Sequence, residues 1–185
     1  MSDRVRAVVG DIGGTNARFA CLRSEDPHDL SDVRVYSCVD FEGLAEAVGA
    51  YLADANVTTG CLSVAMACPV ERDLIKMTNN HWQFSKRELL SQLGLDELRI
   101  INDFTAQSLA VPLLDESEKL VLHQGDSAER RPKLVIGPGT GLGVGGLVPT
   151  AQSWVPIVCE GGHVAATPNT TEESQVIDYL RERFG

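Results

Sequence analysis

Short apolar runs bounded by turn residues dominate the first part of the chain. These runs predict strands at residues 4–11, 17–23, 33–39, 60–70 and 98–101, and residues 73–84 predict a strand with a polar loop. A Gly-Gly pair separates the first two strands, which predicts a hairpin. Apolar residues at helical spacing predict helices at 41–55 and 85–94. The second helix has a Ser85/Glu88 capping box at its start and Gly94 as its stop signal.

A second segment of the same kind follows the polar turn near residue 130. It predicts three more strands, which start at residues 133, 142 and 154. Glycines separate the first two of these strands, so a second hairpin with a glycine turn is expected. An amphipathic pattern at 171–184, opened by a Thr170/Glu173 capping box, predicts a helix. Two glycine turns that face each other would form a cleft, and the mixture of hairpins, strands and helices predicts an α/β fold.

The chain of 185 residues is acidic, with a formal net charge of -10, and 43% of it is hydrophobic. It carries no basic run, so nucleic acid and anionic membranes are not expected as partners. The acidic net charge still allows ATP to bind, because glycine-rich backbone and Mg²⁺ set the local field around a phosphate group. No stretch reaches the roughly 20 apolar residues of a membrane span, and the N-terminus lacks a signal-peptide pattern. A cytoplasmic location is therefore expected.

Five cysteines occur, and no two of them form a Cys-x-x-Cys pair: Cys21, Cys38, Cys61, Cys68 and Cys159. Their odd number and mostly apolar surroundings favour small buried side chains in a reducing compartment over disulfides or a zinc site. Metal binding by cysteine is therefore not expected.

The first candidate site is the sequence DIGGTNAR, from Asp11 to Arg18. Two adjacent glycines let backbone N–H groups approach an anion without interference from Cβ atoms. Asp11, at the end of a buried strand, is a candidate for holding Mg²⁺ through water. The alternative is a plain hairpin with a Gly-Gly turn and a polar rim.

The second candidate site is the glycine-rich sequence GPGTGLGVGG, from Gly137 to Gly146. It lacks the Gly-Lys-Ser/Thr end of a P-loop, and no helical pattern follows it, which argues against a Rossmann turn. A glycine hairpin with Thr140 at its tip suits a loop that lies against phosphate. The alternative is a flexible surface hairpin, since glycines weaken a strand.

The third candidate site is IINDFTA, in which Asn102 and Asp103 follow a buried strand and begin a helix. The carboxyl end of such a strand is the edge at which α/β sheets bind ligands. A carboxylate there could accept a proton from a sugar hydroxyl that attacks phosphorus. The alternative is that Asp103 only caps the helix.

The fourth candidate site is EGGHV, which contains Glu160 and His163. The intervening glycines disfavour a helix, and hence a metal pair at helical spacing. A carboxylate and an imidazole on a loop suit the hydroxyl groups of a polyol, and the alternative is a surface His beside a Glu. The sequence TNNHW, from Thr78 to Trp82, adds amides and an aromatic face that would also suit a sugar.

These four motifs, in this order, resemble those of the bacterial glucokinases of the hexokinase–actin ATPase superfamily, in the branch without a zinc cysteine cluster. The resemblance extends from near Arg4 to the end of the chain. It implies an actin-like ATPase (ribonuclease H-like) α/β fold with the active cleft between two domains. Residues 1–112 would form the small domain, and residues 113–185 would form an incomplete large domain.

The resemblance also implies ATP-dependent phosphorylation of glucose to glucose 6-phosphate, the first step of glycolysis. Asp103 would be the general base for the 6-hydroxyl, and Asp11 would hold Mg²⁺ through water. The phosphate loops would be formed by Gly13, Gly14, Thr15 and Asn16 and by Gly139, Thr140, Gly141 and Gly143. The sugar would be bound by Asn102, Asp103, Glu160 and His163. Glucose and ATP are then the expected partners, and a homodimer is a candidate assembly.

The chain departs from the family pattern after the helix at 171–184. Family members continue with another sugar-contacting Glu and a Gly-Pro-Gly-type segment that helps to bind adenosine. We therefore expect either a truncated chain or a shortened relative, and negligible kinase activity from the chain alone. The alternative function is a non-catalytic sugar-binding protein or an inactive fragment. A ROK-type transcription factor is disfavoured, because no basic helix-turn-helix segment precedes Asp11.

Overall fold

The computed structural model describes residues 2–125, 130–139 and 141–184. Its strands, in chain order, are β1 (Asp3–Arg4), β2 (Ala7–Ile12), β3 (Asn16–Leu22), β4 (Leu30–Ser37), β5 (Val57–Thr58), β6 (Cys61–Met66), β7 (Leu74–Lys76), β8 (Gln83–Ser85), β9 (Glu97–Asn102), β10 (Lys133–Pro138), β11 (Leu142–Pro149) and β12 (Trp154–Ile157). Its α-helices are α1 (Leu44–Asp54), α2 (Lys86–Gln92), α3 (Asp103–Ala110) and α4 (Thr171–Phe184). Short 3-10 helices occur at Cys38–Asp40, Val111–Leu113, Glu116–Glu118 and Gly161–His163.

The first sheet has five strands in the order β4-β3-β2-β6-β9. The strands β2, β3 and β4 pair antiparallel, whereas β6 and β9 run parallel to β2. The register aligns Ile12 of β2 with Met66 of β6, and Met66 with Asn102 of β9. The three parallel strands therefore end in one row, and the residues that follow them meet at one edge of the sheet.

One apolar cluster joins this sheet to α1 and α2. Alternate residues of β6, which are Leu62, Val64 and Met66, are buried in it, as the two-residue period of a strand requires. On α1 the buried side chains recur three to four residues apart and include Leu44 and Val48. The core thus fixes the strands whose ends carry the candidate site residues.

The second sheet is antiparallel and consists of β10, β11 and β12. Helix α3 packs against all three of its strands and also contacts β6 and β9, so this helix bridges the two sheets. Alternate residues of the second sheet form an apolar face that remains exposed, and they are Leu134, Ile136, Val148, Val155 and Ile157. The division of the chain into domains at residue 112 stays a prediction.

Capping interactions predicted from the sequence are present at both ends of α2 and at the start of α4. Ser85 Oγ accepts a hydrogen bond from Glu88 N–H at 3.3 Å, and Gly94 adopts a φ of 63° after α2. Thr170 Oγ1 accepts a hydrogen bond from Glu173 N–H at 3.1 Å. Glu173 Oε2 in turn accepts one from Thr170 N–H at 3.2 Å, which completes the capping box. Within the described residues the Glu88 side chain accepts no bond from Ser85 N–H, so the predicted box at α2 is only half formed. The two predicted helix starts and the stop at Gly94 are confirmed.

Some predicted boundaries differ from the structure. The strand predicted at 4–11 is divided into β1, which pairs with β5, and β2, which belongs to the first sheet. The helix predicted at 41–55 begins later, at Leu44, because Gly43 is extended. None of the helices in the described part of the chain combines the length and the apolarity that a bilayer crossing requires.

Candidate active site

An open cleft of about 860 Å³ lies where the two sheets meet. Its walls are the segment after β6, the loop between β7 and β8, the junction of β9 and α3, the β10–β11 hairpin and the loop after β12. The predicted site residues that line it are Asn102, Asp103, Gly139, Gly141, Gly143, Glu160 and His163. The cleft therefore brings together three of the four candidate motifs.

Asn102 and Asp103 lie at the end of β9 and the start of α3, at the edge where the parallel strands stop. Asn102 is the N-cap, since its Oδ1 accepts hydrogen bonds from the N–H groups of Phe104 at 2.9 Å and Thr105 at 3.2 Å. Asp103 Oδ1 accepts from Asn102 Nδ2 and from Phe104 N–H, both at 2.9 Å. Among the described residues, no hydrogen bond to Asp103 Oδ2 exists. The capping function thus belongs to Asn102, and one carboxylate oxygen of Asp103 remains available.

The Asp103 carboxyl lies in surroundings that disfavour its charge. Burial raises the pKa of Asp103 above its ordinary value, and the negative charge of Asp11 raises it further. Hydrogen bonds from the Phe104 N–H and the Asn102 side chain act in the opposite direction. Because a higher pKa makes a carboxylate a stronger base, this environment suits a group that takes a proton from a hydroxyl.

Asp11 lies on β2 directly opposite Arg18 of β3, and its Oδ2 forms an exposed ion pair with Arg18 at 3.0 Å. No group of three or more His, Cys, Asp or Glu side chains within the described ranges is placed to hold a metal ion. Mg²⁺ is commonly bound by one or two carboxylates, with waters and substrate phosphates as its other ligands. Asp11 is not part of the cleft wall, and as a single exposed carboxylate its donor chemistry fits Mg²⁺ held mainly by water and substrate.

The first glycine turn joins β2 to β3 beside the cleft. Gly13 N–H donates to the Asn16 carbonyl at 2.9 Å and closes the turn, while Thr15 and Asn16 are exposed. A methyl group at Gly14 would stand 2.7 Å from Asn79 Cβ, so this glycine allows a close contact with the β7–β8 loop. The turn residues are not part of the described cleft wall, but Asn79 is. The predicted hairpin is confirmed, and its contact with phosphate stays a prediction.

The second glycine turn is the tip of the β10–β11 hairpin. Gly139 N–H donates to the Gly141 carbonyl at 2.8 Å, so this amide is already occupied. A side chain at Gly139 or Gly141 would meet at most an ordinary contact. A side chain at Gly143 would instead overlap the Phe104 ring, so packing within the protein explains this glycine. Thr140, predicted at the tip, lies outside the described residues.

Glu160 and His163 lie on the loop after β12, in and beside the 3-10 turn Gly161–His163. His163 N–H donates to the Glu160 carbonyl at 2.9 Å, and the two side chains approach to 4.0 Å between Nε2 and Oε2. Both side chains are exposed, so they are accessible to a ligand in the cleft. A methyl group at Gly162 would overlap the Leu142 carbonyl, which shows how closely this turn lies on β11.

The cleft wall also contains Ala67, Cys68 and Pro69 after β6, which were not predicted, and Thr78 and Asn79 of the β7–β8 loop, which belong to the TNNHW sequence predicted to suit a sugar. The signal for the first group was their position after a buried parallel strand, at the same edge as Asp103. The aromatic face suggested by Trp82 is not available to a sugar. Its side chain is fully buried, and its Nε1–H donates to the carbonyls of Phe41 at 3.1 Å and Cys38 at 3.2 Å.

Comparisons with known proteins identify a family and a fold for this chain. A family model described as Glucokinase matches residues 8–185. The chain is 46% identical over 188 residues to a curated glucokinase from Hahella chejuensis, and 43% identical over 182 residues to one from Chromohalobacter salexigens. These matches cover 100% and 97% of the chain but only 58% and 56% of the two relatives, so the chain spans a little more than half their length.

The crystal structure of a glucokinase from an Antarctic psychrotroph has a TM-score of 0.83 to this chain at 33% identity. The match covers 96% of this chain and 57% of that one. The predicted fold class is confirmed, since the structures that resemble this chain are sugar kinases of the actin-like ATPase fold.

Proposed function

Because the chain belongs to the glucokinase family, we propose that the whole protein transfers the γ-phosphoryl group of ATP to the 6-hydroxyl of glucose. The observation that carries the proposal is one cleft that unites Asp103 with Glu160 and His163. The two curated relatives named Glucokinase support the same reaction class. Since the chain spans little more than half their length, the reaction is proposed for the whole protein.

In this proposal Asp103 is the general base. Its Oδ1 is held by Asn102 and by the Phe104 N–H, which leaves Oδ2 to accept the proton of the 6-hydroxyl. The raised pKa of Asp103 increases its basicity towards that proton. The remaining contribution of the protein is the alignment of the hydroxyl oxygen with phosphorus, because phosphoryl transfer depends mainly on position and charge compensation.

The sugar ring would be held by polar groups that line the same cleft as Asp103. The Asn102 side chain caps α3, and its Nδ2 already donates to Asp103 and keeps the carboxylate oriented. Glu160 would accept hydrogen bonds from ring hydroxyls, and the His163 imidazole would donate or accept according to its protonation. Both side chains are exposed, so each can form hydrogen bonds with a polyol although they form no close ion pair with each other.

The phosphates of ATP would lie against the backbone of the two glycine turns, which comprise Gly13, Gly14, Thr15 and Asn16 and Gly139, Thr140, Gly141 and Gly143. Gly139 and Gly141 have free space beside them, which supports a direct approach of phosphate to this turn. Gly14 and Gly143 are filled by protein neighbours, so they would shape the turns rather than touch phosphate.

Mg²⁺ would be held near Asp11, through water, and would neutralise phosphate charge when bound with ATP. Asp11 Oδ2 is engaged by Arg18, so the other carboxylate oxygen would accept the hydrogen bond of the bridging water. The net charge of -10 favours small substrates over nucleic acid or anionic membranes. The five cysteines are free, as is usual in the reducing cytoplasm, where ATP is also available. The proposed reaction would take place there, as the first step of glycolysis.

A hybrid protein tests the proposal. In it, this chain is joined to the segment of the Hahella chejuensis glucokinase that lies outside the match. Glucose 6-phosphate formation is measured by mass spectrometry, and glucose binding is measured by calorimetry on the same sample. We expect glucose- and ATP-dependent product. Binding without product would support the non-catalytic alternative, and the absence of both would contradict the assignment of this cleft to glucose.

A further inference from the structure

The ring of Phe104 occupies a slot that only glycines can form. A methyl group at Gly137 of β10 would stand 2.6 Å from Phe104 Cζ, and one at Gly143 of β11 would overlap the ring. These two glycines are directly opposite each other in the hairpin register. The slot therefore spans both strands, close to the tip of the hairpin.

The first turn of α3 is pressed against the same sheet beside the ring. A methyl group at Gly145 would stand 2.8 Å from the Phe104 carbonyl oxygen, so β11 approaches the helix backbone closely. That carbonyl accepts a hydrogen bond at 2.8 Å from the fully buried Ser108 hydroxyl. Ring and backbone of Phe104 are thus both fixed against the second sheet, although α3 begins at the end of the first sheet.

Asp103 immediately precedes Phe104, and only the Pro138/Leu142 pair separates the slot from the hairpin tip. We propose that Phe104 is a positioning residue, whose ring in the Gly137/Gly143 slot sets the distance between Asp103 and the Gly139–Gly141 turn. This inference rests on the proposed function, because the distance matters when Asp103 acts on a hydroxyl that attacks a phosphate at that turn. Phe104 itself is not a catalytic residue.

The slot is tested first by thermal unfolding of the 185-residue chain. Overpacking predicts that Gly143→Ala lowers the midpoint by roughly 2–10 °C. In a Phe104→Ala background, which removes the ring, Gly143→Ala should lower the unfolding midpoint by less than about half of that amount. Gly146→Ala is the matched control: it lies on β11 but faces away from Phe104, and its effect should be equal in both backgrounds. Equal effects of Gly143→Ala in both backgrounds would contradict the inference that the Phe104 ring fills the Gly137/Gly143 slot.

The positioning effect is tested by hydrogen–deuterium exchange, which requires neither glucose nor ATP. Phe104→Ala should speed exchange about tenfold or more in the hairpin peptide 137–144 as well as in α3. Leu89→Ala, which makes a cavity under α2 in the main core, is the control for general destabilisation and should leave the hairpin unchanged. Faster exchange in α3 alone would mean that Phe104 only anchors its own helix, and would overturn the proposal.

The hybrid protein gives the functional readout. Phe104→Ala should lower the rate of glucose 6-phosphate formation up to about 10²-fold, as misplacement of reacting groups does, with a much smaller change in glucose affinity. A native rate in this variant would overturn the positioning role. If the unmodified hybrid makes no product, the proposed function fails, while unfolding and exchange still decide whether Phe104 couples the two walls.

Discussion

Asp103 is the residue at which stability and the proposed chemistry oppose each other. Its folded-state pKa is raised by burial and by Asp11, so the ionised carboxylate destabilises the fold above that pKa. This destabilisation disappears as the pH falls below the unfolded value of about 3.9. The same environment that makes Asp103 a better base therefore lowers the free energy of unfolding at neutral pH.

Replacing this charge should consequently stabilise the chain. We expect Asp103→Asn to raise the unfolding midpoint at pH 7, with a difference that shrinks as the pH approaches about 4. The amide retains an acceptor oxygen for the Phe104 N–H. Asp29→Asn, at an exposed loop carboxylate, is the control and should have little effect at either pH. A destabilised Asp103→Asn variant at pH 7 would contradict the electrostatic account.

Glu160 and His163 should affect sugar and nucleotide differently. If each holds a sugar hydroxyl, Glu160→Ala or His163→Ala in the hybrid protein should weaken glucose binding by about 1–3 kcal/mol, because a bonded partner is lost. ATP affinity should barely change. Calorimetric titrations with both ligands make the comparison, and equal losses for both would indicate that the loop had unfolded rather than lost a contact.

The sequence was sufficient to predict that the motif glycines allow a close approach, but not which group approaches each of them. The sequence predicted that the glycines of the second turn admit phosphate, and the open surroundings of Gly139 and Gly141 are compatible with that. Gly143 instead admits the Phe104 ring, and Gly162 admits the Leu142 backbone. Which group approaches a glycine depends on contacts between distant strands, and no local pattern contains that information.

At the level of elements, the local signals were the reliable ones. The Thr170/Glu173 capping box acts within four residues of chain and was predictable for that reason. The split of the predicted strand at 4–11 was not, because it follows from the pairing of β1 with a distant strand. The sequence TNNHW was predicted to suit a sugar, but the position of Thr78 and Asn79 in the cleft wall depends on the packing of the β7–β8 loop against the first glycine turn.

The two glycines of the first turn offer a direct test of that packing. Gly14→Ala must displace Asn79, whose Cβ and carbonyl oxygen would lie 2.7 and 3.0 Å from the new methyl group. We expect a loss of about 1–3 kcal/mol in the free energy of unfolding. Gly13→Ala, whose methyl would meet only an ordinary 3.6 Å contact, should cost much less. Denaturant unfolding of both variants makes the comparison, and equal losses would contradict the Asn79 contact.

At the scale of the whole molecule, the second sheet is covered by helices less completely than the first. The first sheet is covered by α1 and α2, whereas α3 covers only one face of the second. On its other face Leu134 and Ile136 are 68% and 57% exposed. Contiguous exposed apolar side chains of this kind favour association with another surface.

We therefore expect the 185-residue chain to self-associate through this face. Sedimentation velocity should show concentration-dependent oligomers, and Ile136→Lys should reduce them by placing a charge in the contact. Val33→Lys, at a position of similar exposure on β4 of the first sheet, is the control and should not. A native chain that stays monomeric at all concentrations would contradict this expectation, as would oligomers that Val33→Lys abolishes and Ile136→Lys does not.

We propose above all that Asp103 in this cleft takes the proton of the glucose 6-hydroxyl. The most direct measurement is the rate of glucose 6-phosphate formation by the hybrid protein with Asp103 or with Asp103→Asn, together with the glucose affinity of each. With Asp103→Asn we expect a rate lower by roughly 10²–10⁴-fold and a glucose affinity within about tenfold, because the amide keeps the shape but cannot accept the proton. A near-native rate in folded Asp103→Asn protein would contradict it.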